Sequence, residues 1–234
     1  MVEIIWLGHG SFELKLESGE VLLIDPWITG NPKYPATHKV TRVDAILITH
    51  GHFDHTGDLV QLAKEHKVPI IAIHEIAVWL ESKGVTTARG MNKGGTQQVG
   101  SVAVTMTHAV HSSSLSEGGQ TIYAGEAAGF VLTFDDGRVA YFAGDTTVFG
   151  DMALIAQLYK PTLAFLPIGD YYTMGPREAA LACRLIKATT VFPMHWGTFP
   201  ALTGTPAKLA ELLADDGQSG VEVINLPPGE TVQW

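Results

Sequence analysis

Short runs of β-forming residues open the chain. Glu3–Leu7, Ser11–Glu17 and Val21–Asp25 are split by Gly8, Gly10 and the Ser18-Gly19-Glu20 turn, which predicts a β-meander. Asp44–Thr49 is a near-continuous apolar run, the pattern of a strand buried on both faces. Leu59, Val60, Leu62 and Ala63 then recur at helical spacing up to His66-Lys67, just before Pro69. A strand over Val68–Ile73 and a helix over Glu75–Lys83 follow, with Gly84 closing the helix. Val102, Val104 and Met106 alternate with Ala103, Thr105 and Thr107, as a half-buried strand does.

The second half repeats this style. Gly129–Phe134 and Arg138–Ala143 flank the turn Asp135-Asp136-Gly137. Helix Met152–Tyr159 leads to strand Leu163–Ile168. Helix Pro176–Lys187, with proline at its first position, leads to strand Thr190–Pro193. Helix Pro206–Ala214 and strand Val221–Asn225 close the chain. Each half starts β-rich and continues in αβ units. The expected architecture is α+β, with two mixed sheets face to face and helices outside. No linker or low-complexity segment divides the sequence, so residues 1–234 are expected to form one domain.

Composition narrows the picture. Apolar residues make up 46% and charged residues 17% of the chain, a globular balance. The formal net charge is -9, and lysines and arginines are scattered singly, which disfavours a nucleic-acid partner. The start, Met1-Val2-Glu3-Ile4-Ile5-Trp6, reads as a strand rather than a secretory leader, and no apolar run approaches the roughly 20 residues of a membrane span. A cytoplasmic protein is the expectation. The single cysteine, Cys183, lies in a helical pattern and reads as a buried, inert thiol.

The unusual residues sit in loops after strands. His50-Gly51-His52-Phe53-Asp54-His55 crowds three imidazoles and a carboxylate behind an apolar strand, where they would be hard to satisfy without a cation. His50 and His52 can converge on one ion, and Asp54 and His55 can face a second. His108 and His111 follow the strand that ends near Thr107, and either could be a ligand. Asp145 follows Gly144, whose lack of a side chain lets the backbone approach closely. His195 follows the strand ending at Pro193; alone it would read as structural, but four such loops at successive strand ends change that.

These motifs resemble the metallo-β-lactamase-fold hydrolases. The likeness rests on the His-x-His-x-Asp-His run, His111, Gly144-Asp145-Thr146 and His195, and it spans nearly the whole chain. Trp6-Leu7-Gly8-His9-Gly10-Ser11-Phe12, His111-Ser112-Ser113, Thr173-Met174-Gly175-Pro176 and Met194-His195-Trp196-Gly197-Thr198-Phe199 narrow it. They resemble a small bacterial and archaeal branch of metal-dependent hydrolases, similar to the ascorbate-phosphate lactonase group. The resemblance implies a four-layer αββα sandwich with the site on one edge. It implies one metal on His50, His52 and His111, a second on Asp54, His55 and His195, and Asp145 bridging them. His111 is preferred to His108 because the family pattern here is His-Ser-Ser. It makes Asp25 a brace for the 50–55 loop and places His9 near the site, where it could touch substrate. Asp170 and Thr173 precede a helix start, a place that favours a substrate carboxylate or phosphate.

The implied chemistry is hydrolysis of a small ester, lactone or phosphoester. Two divalent ions sharing a hydroxide would act on the substrate, with Asp54 and Asp145 as the catalytic carboxylates. Zinc is the first expectation, with manganese or iron(II) as alternatives, since imidazole and carboxylate suit all three. The substrate is expected to be small and anionic; a homo-oligomer is left open. Two other classes fit the same donors: a nuclease or phosphodiesterase of this fold, and a non-hydrolytic di-iron redox or metal-binding module.

Overall fold

The computed structural model describes residues 1–234. Its elements, in chain order, are β1 (Val2–Trp6), β2 (Phe12–Leu16), β3 (Val21–Ile24), β4 (Ala45–Leu47), α1 (Phe53–Thr56), α2 (Leu59–His66), β5 (Ile70–Ile73), α3 (His74–Ser82), β6 (Ala88–Met91), β7 (Thr96–Val99) and β8 (Val102–His108). After these come β9 (Ser114–Glu117), β10 (Gln120–Tyr123), β11 (Ala128–Phe134), β12 (Val139–Phe142), α4 (Met152–Tyr159), β13 (Leu163–Pro167), α5 (Pro176–Ile186), β14 (Thr190–Met194), α6 (Pro206–Asp215), β15 (Glu222–Val223) and β16 (Thr231–Gln233). No helix is long and apolar enough to cross a membrane.

Two seven-stranded sheets face each other, in the orders β16-β1-β2-β3-β4-β5-β6 and β15-β14-β13-β12-β11-β8-β7. Each sheet is mixed in the same way. Strands joined by short turns pair antiparallel, as β1-β2-β3 and β11-β12 do, and β8 pairs antiparallel with β11 across the β9-β10 hairpin. Strands joined through a helix or a long loop pair parallel, as β3-β4-β5-β6 and β12-β13-β14-β15 do, because a parallel neighbour needs a crossover connection.

Alternation along the strands decides which layer each side chain joins. In β11 to β14, Phe130, Leu132, Phe142, Phe165 and Phe192 point between the sheets. Their neighbours Val131, Tyr141, Ala164, Leu166 and Val191 point outward, to pack with Met152, Ala179, Cys183 and Leu209 of the helices. Phe12 of the first sheet inserts edge-on among Phe142, Phe165 and Phe192, which fixes how the two sheets meet. The result is the αββα sandwich.

Sequence reading and structure differ mainly at the margins. The strands β6, β7 and β16 carry no apolar alternation, and Val221–Asn225 contributes only the two residues of β15 to a ladder. All four are sheet edges, where one side of the strand is unpaired and burial imposes no pattern. The hairpin β9-β10 was likewise not legible and pairs only with itself. The run Asp44–Thr49 yields a three-residue ladder, β4. It ends where the Thr49 amide turns from the neighbouring strands to the Asp25 carboxylate, at 2.8 Å.

Candidate metal centre

The loops that carry the candidate donors leave the ends of several strands and meet at one edge of the sandwich. From the first sheet come His9 after β1, Asp25 after β3 and His50–His55 after β4. From the second come His111 after β8, Asp145 after β12 and His195 after β14. Backbone conformation at this edge is unusual. His9, Asp25 and His195 all adopt positive φ, at 58°, 47° and 55°. Non-glycine residues seldom adopt it unless their surroundings enforce it. Gly144, at φ 64°, fits the same tight edge: a Cβ there would lie 2.6 Å from the Ala128 carbonyl oxygen and 2.9 Å from Thr49 Cβ.

Asp25, fully buried, sets the direction of two histidines. Its Oδ2 accepts from His55 Nδ1 at 2.9 Å and from Thr49 Oγ1 at 2.6 Å. Because Thr49 Oγ1 donates to Asp25, its lone pair accepts the Nδ1 proton of His50, at 3.0 Å. Both imidazoles therefore carry hydrogen on Nδ1 and turn the Nε2 lone pair into the site. Ser113 ties two donor loops together, accepting from the Gly51 amide and donating to the Ala124 carbonyl, both at 3.1 Å.

Asp145 stands in the middle. Its Oδ2 is 3.9 Å from His50 Nε2, 3.4 Å from His55 Nε2, 3.7 Å from His111 Nε2 and 3.0 Å from His195 Nε2. Asp54 Oδ2 lies 3.8 Å from His195 Nε2 and 4.0 Å from His55 Nε2. Two close donor groups divide the site, His50 with His52 and His111, and Asp54 with His55, His195 and His9, and a third, Asp25 with His50 and His55, spans them. His55 Nε2, His195 Nε2 and Asp145 Oδ1 are buried with no hydrogen-bond partner; the short His195–Asp145 approach lacks hydrogen-bonding angles. Buried donor atoms left without a hydrogen-bond partner beside two carboxylates fit a divalent cation that would take the place of the histidine protons.

The charges divide along the same line. Burial, and then the charge of His55, pushes His50 well below the ordinary histidine value. Burial lowers His52 and His111 too. This group is neutral, with lone pairs available. In the other group burial works against charge but loses. Asp145 and Asp25 hold His55 well above the ordinary value, and Asp145 and Asp54 lift His195 to about 9. Burial would raise Asp145 and Asp54, yet the neighbouring histidines hold both carboxyls well below the carboxylate range.

His9 is part of this edge but not of its open face. It is fully buried, with Nε2 at 2.9 Å from Asp54 Oδ2 and Nδ1 at 2.9 Å from Thr198 Oγ1. Both ring nitrogens are thus engaged, and burial followed by the charge of His195 lowers its pKa to about 4. It backs Asp54 rather than reaching substrate. Thr198, which holds His9, lies within the Met194–Phe199 motif, where the sequence assigns it no role. His108 leaves the site altogether. It is exposed, 2.9 Å from Lys93 Nζ, with Phe149 against its ring.

A cavity of about 550 Å³ opens onto the donors. His52, Asp54, His111, Asp145 and His195 reach it, with Ser112, Phe53, Tyr172 and Phe199 as its other walls. Asp170 and Thr173 do not line it. Asp170 Oδ1 accepts from the Tyr171 amide, and Thr173 Oγ1 donates to the Met174 carbonyl. At the start of α5, Glu178 Oε2 accepts from the Gly175 amide at 3.2 Å. No lysine or arginine lines the cavity.

Residues 21–196 match the beta-lactamase superfamily domain. A UPF0173 metal-dependent hydrolase of Solibacter usitatus is 60% identical over 233 residues, covering 100% of both chains. Another from Koribacter versatilis is 50% identical over 231 residues, covering 98% of this chain and 97% of the relative. Among solved structures, Igni18, a metallo hydrolase from the hyperthermophilic archaeon Ignicoccus hospitalis, superposes with a TM-score of 0.86 at 34% identity, covering 99% of this chain and 97% of that one.

Proposed function

Because the chain belongs to the beta-lactamase superfamily, and within it to the UPF0173 metal-dependent hydrolases, we propose that it holds two divalent ions and hydrolyses a small molecule at an ester, lactone or phosphoester bond. The observation that carries this reading is the position of Asp145, whose Oδ2 lies within 3.9 Å of four histidine nitrogens drawn from both donor groups. In this reading His50, His52 and His111 hold one ion, Asp54, His55 and His195 hold the other, and Asp145 faces both. Zinc suits these nitrogen and oxygen donors, as do manganese and iron(II). Ions bound there would supply Lewis acidity and a nucleophile drawn from water at neutral pH.

The chain's own part is orientation. Asp25 and Thr49 fix the faces that His55 and His50 present, so little reorganisation is left for the reaction. His9 and Thr198 hold the Asp54 carboxylate from behind. No thiolate takes part, because Cys183 is buried in α5 against the helix layer.

Elemental analysis of reconstituted protein tests the reading, together with a turnover panel of lactones, esters, thioesters and phosphodiesters. Two ions per chain and turnover in the panel are expected. One ion or none per chain, or a visible iron band without any hydrolysis, counts against it. Asp145→Ala should lower metal affinity and turnover each by about 100-fold, while His108→Ala should leave both near wild type. Loss of metal in His108→Ala with retention in His111→Ala would reassign the third histidine.

A further inference from the structure

The walls of the cavity carry a second message, which rests on the hydrolase reading and narrows its substrate. Three aromatic rings from three separate segments face the same space as the donors: Phe53 at the start of α1, Tyr172 in the loop before α5 and Phe199 in the loop after β14. Phe53 sits between the candidate ligands His52 and Asp54 and is 61% exposed; Tyr172 is 57% exposed. Large apolar side chains held in water beside a polar centre call for an occupant.

Two of these rings, Phe53 and Phe199, are backed by a buried side chain. Trp27, buried to 4% exposure, packs edge-on against Phe53 at 5.6 Å and stacks on Phe199 at 5.9 Å. One indole thus backs both phenylalanines. Tyr172 packs edge-on against Tyr171 at 4.7 Å. The backbone before it is turned out at two successive non-glycine positions, Asp170 at φ 69° and Tyr171 at φ 59°. Such strain persists where the surroundings enforce it, commonly at ligand sites.

Charge points the same way. With no lysine or arginine on the walls, no side chain of the cavity offers an ion pair to a phosphate or carboxylate tail. Beyond the donors the walls are Phe53, Ser112, Tyr172 and Phe199, which give a charged tail no ionic partner. We propose that Phe53, Tyr172 and Phe199 form an aromatic clamp, and that the substrate is uncharged and carries an aryl group beside the bond to be hydrolysed. This replaces the anionic substrate expected from the sequence.

The test uses metal-reconstituted enzyme and matched substrates. γ-Phenyl-γ-butyrolactone is compared with its γ-methyl analogue, and phenyl acetate with 4-acetoxybenzoate, which adds a carboxylate. The phenyl lactone is expected to exceed the methyl lactone in kcat/KM by about tenfold or more, and Phe53→Ala or Tyr172→Ala to shrink that ratio by about three- to tenfold. Phenyl acetate is expected to exceed 4-acetoxybenzoate. Binding of acetanilide to metal-depleted protein, followed by ligand-observed NMR, gives a readout independent of turnover. The wild type should bind it and both variants should bind it more weakly. A phenyl-to-methyl ratio unchanged in both variants, faster turnover of the carboxylated ester, or acetanilide bound equally by all three proteins would overturn the clamp. If none of these lactones or esters is hydrolysed, the hydrolase reading fails for them, and the acetanilide titration alone still decides the clamp.

Discussion

His9 shows how much a single residue does at this edge. Its φ of 58° lets its carbonyl accept from the Trp6 indole and from the His195 amide, while its ring meets Asp54 and Thr198. Asparagine tolerates this backbone better than most residues. His9→Asn should therefore keep the fold but free Asp54, lowering affinity for one ion by about 10- to 100-fold and sparing the other. Competition against a chromophoric chelator measures this, and equal loss of both ions would contradict it. Cys183 illustrates the opposite kind of residue. Burial pushes its thiol up to about 12, so almost no thiolate exists at pH 8. Iodoacetamide at that pH should leave the native protein unmodified by mass spectrometry and label it fully in denaturant. Rapid labelling of the native protein would show that α5 opens easily.

At the scale of elements, the β12 strand and the turn after it carry the most demanding requirement. Gly144 brings Asp145 to the centre only by passing close to Ala128 and Thr49 at positive φ. Gly144→Ala should cost about 1–3 kcal/mol of stability through strain and contact together, a loss of several degrees in Tm for a chain of this length. It should also lower metal content, because Asp145 would shift. Normal Tm with full metal occupancy would show that the loop has room to give. Buried elements such as β3, β4, β5, β13 and α5 were readable because burial imposes apolar runs on the strands and a helical period on α5. The edge strands and the β9-β10 hairpin were not, since backbone pairing holds them whatever their side chains are.

At the scale of the molecule, the donors join two sheets that otherwise meet through the apolar layer between them. Metal removal should therefore lower Tm, and the loss should depend on pH. In the metal-free protein His195 has a folded pKa of about 9, above the value of about 6.5 for an unfolded histidine. Its stabilisation is complete below about 6.5 and is lost as pH rises through about 9. His55, also raised, acts in the same sense. His9, lowered to about 4, acts oppositely: the unfolded chain takes up a proton the folded chain refuses, so stability falls as pH drops from about 6.5 toward 4. Metal displaces the protons on His55 and His195, so its affinity rises over the range where the metal-free fold weakens. Melting curves with and without chelator should diverge between about pH 7 and 9.5. Parallel curves would show that these protons do not compete with metal.

The sequence alone determined the sandwich, the run His50–His55 and the identity of the candidate donors, because hydrophobic period and ligand chemistry are local properties that a linear chain displays. The preference for His111 over His108 came from the resemblance, whose pattern at this place is His-Ser-Ser. Tertiary structure alone decided where the remaining groups point. His9 turned inward behind Asp54, and His108 turned out to Lys93. Glu178 turned back to the Gly175 amide, and Phe53, Tyr172 and Phe199 came to line one cavity. Each depends on contacts between residues far apart in the chain, whose direction is set by packing and by competition for hydrogen bonds. No spacing in the sequence encodes that competition.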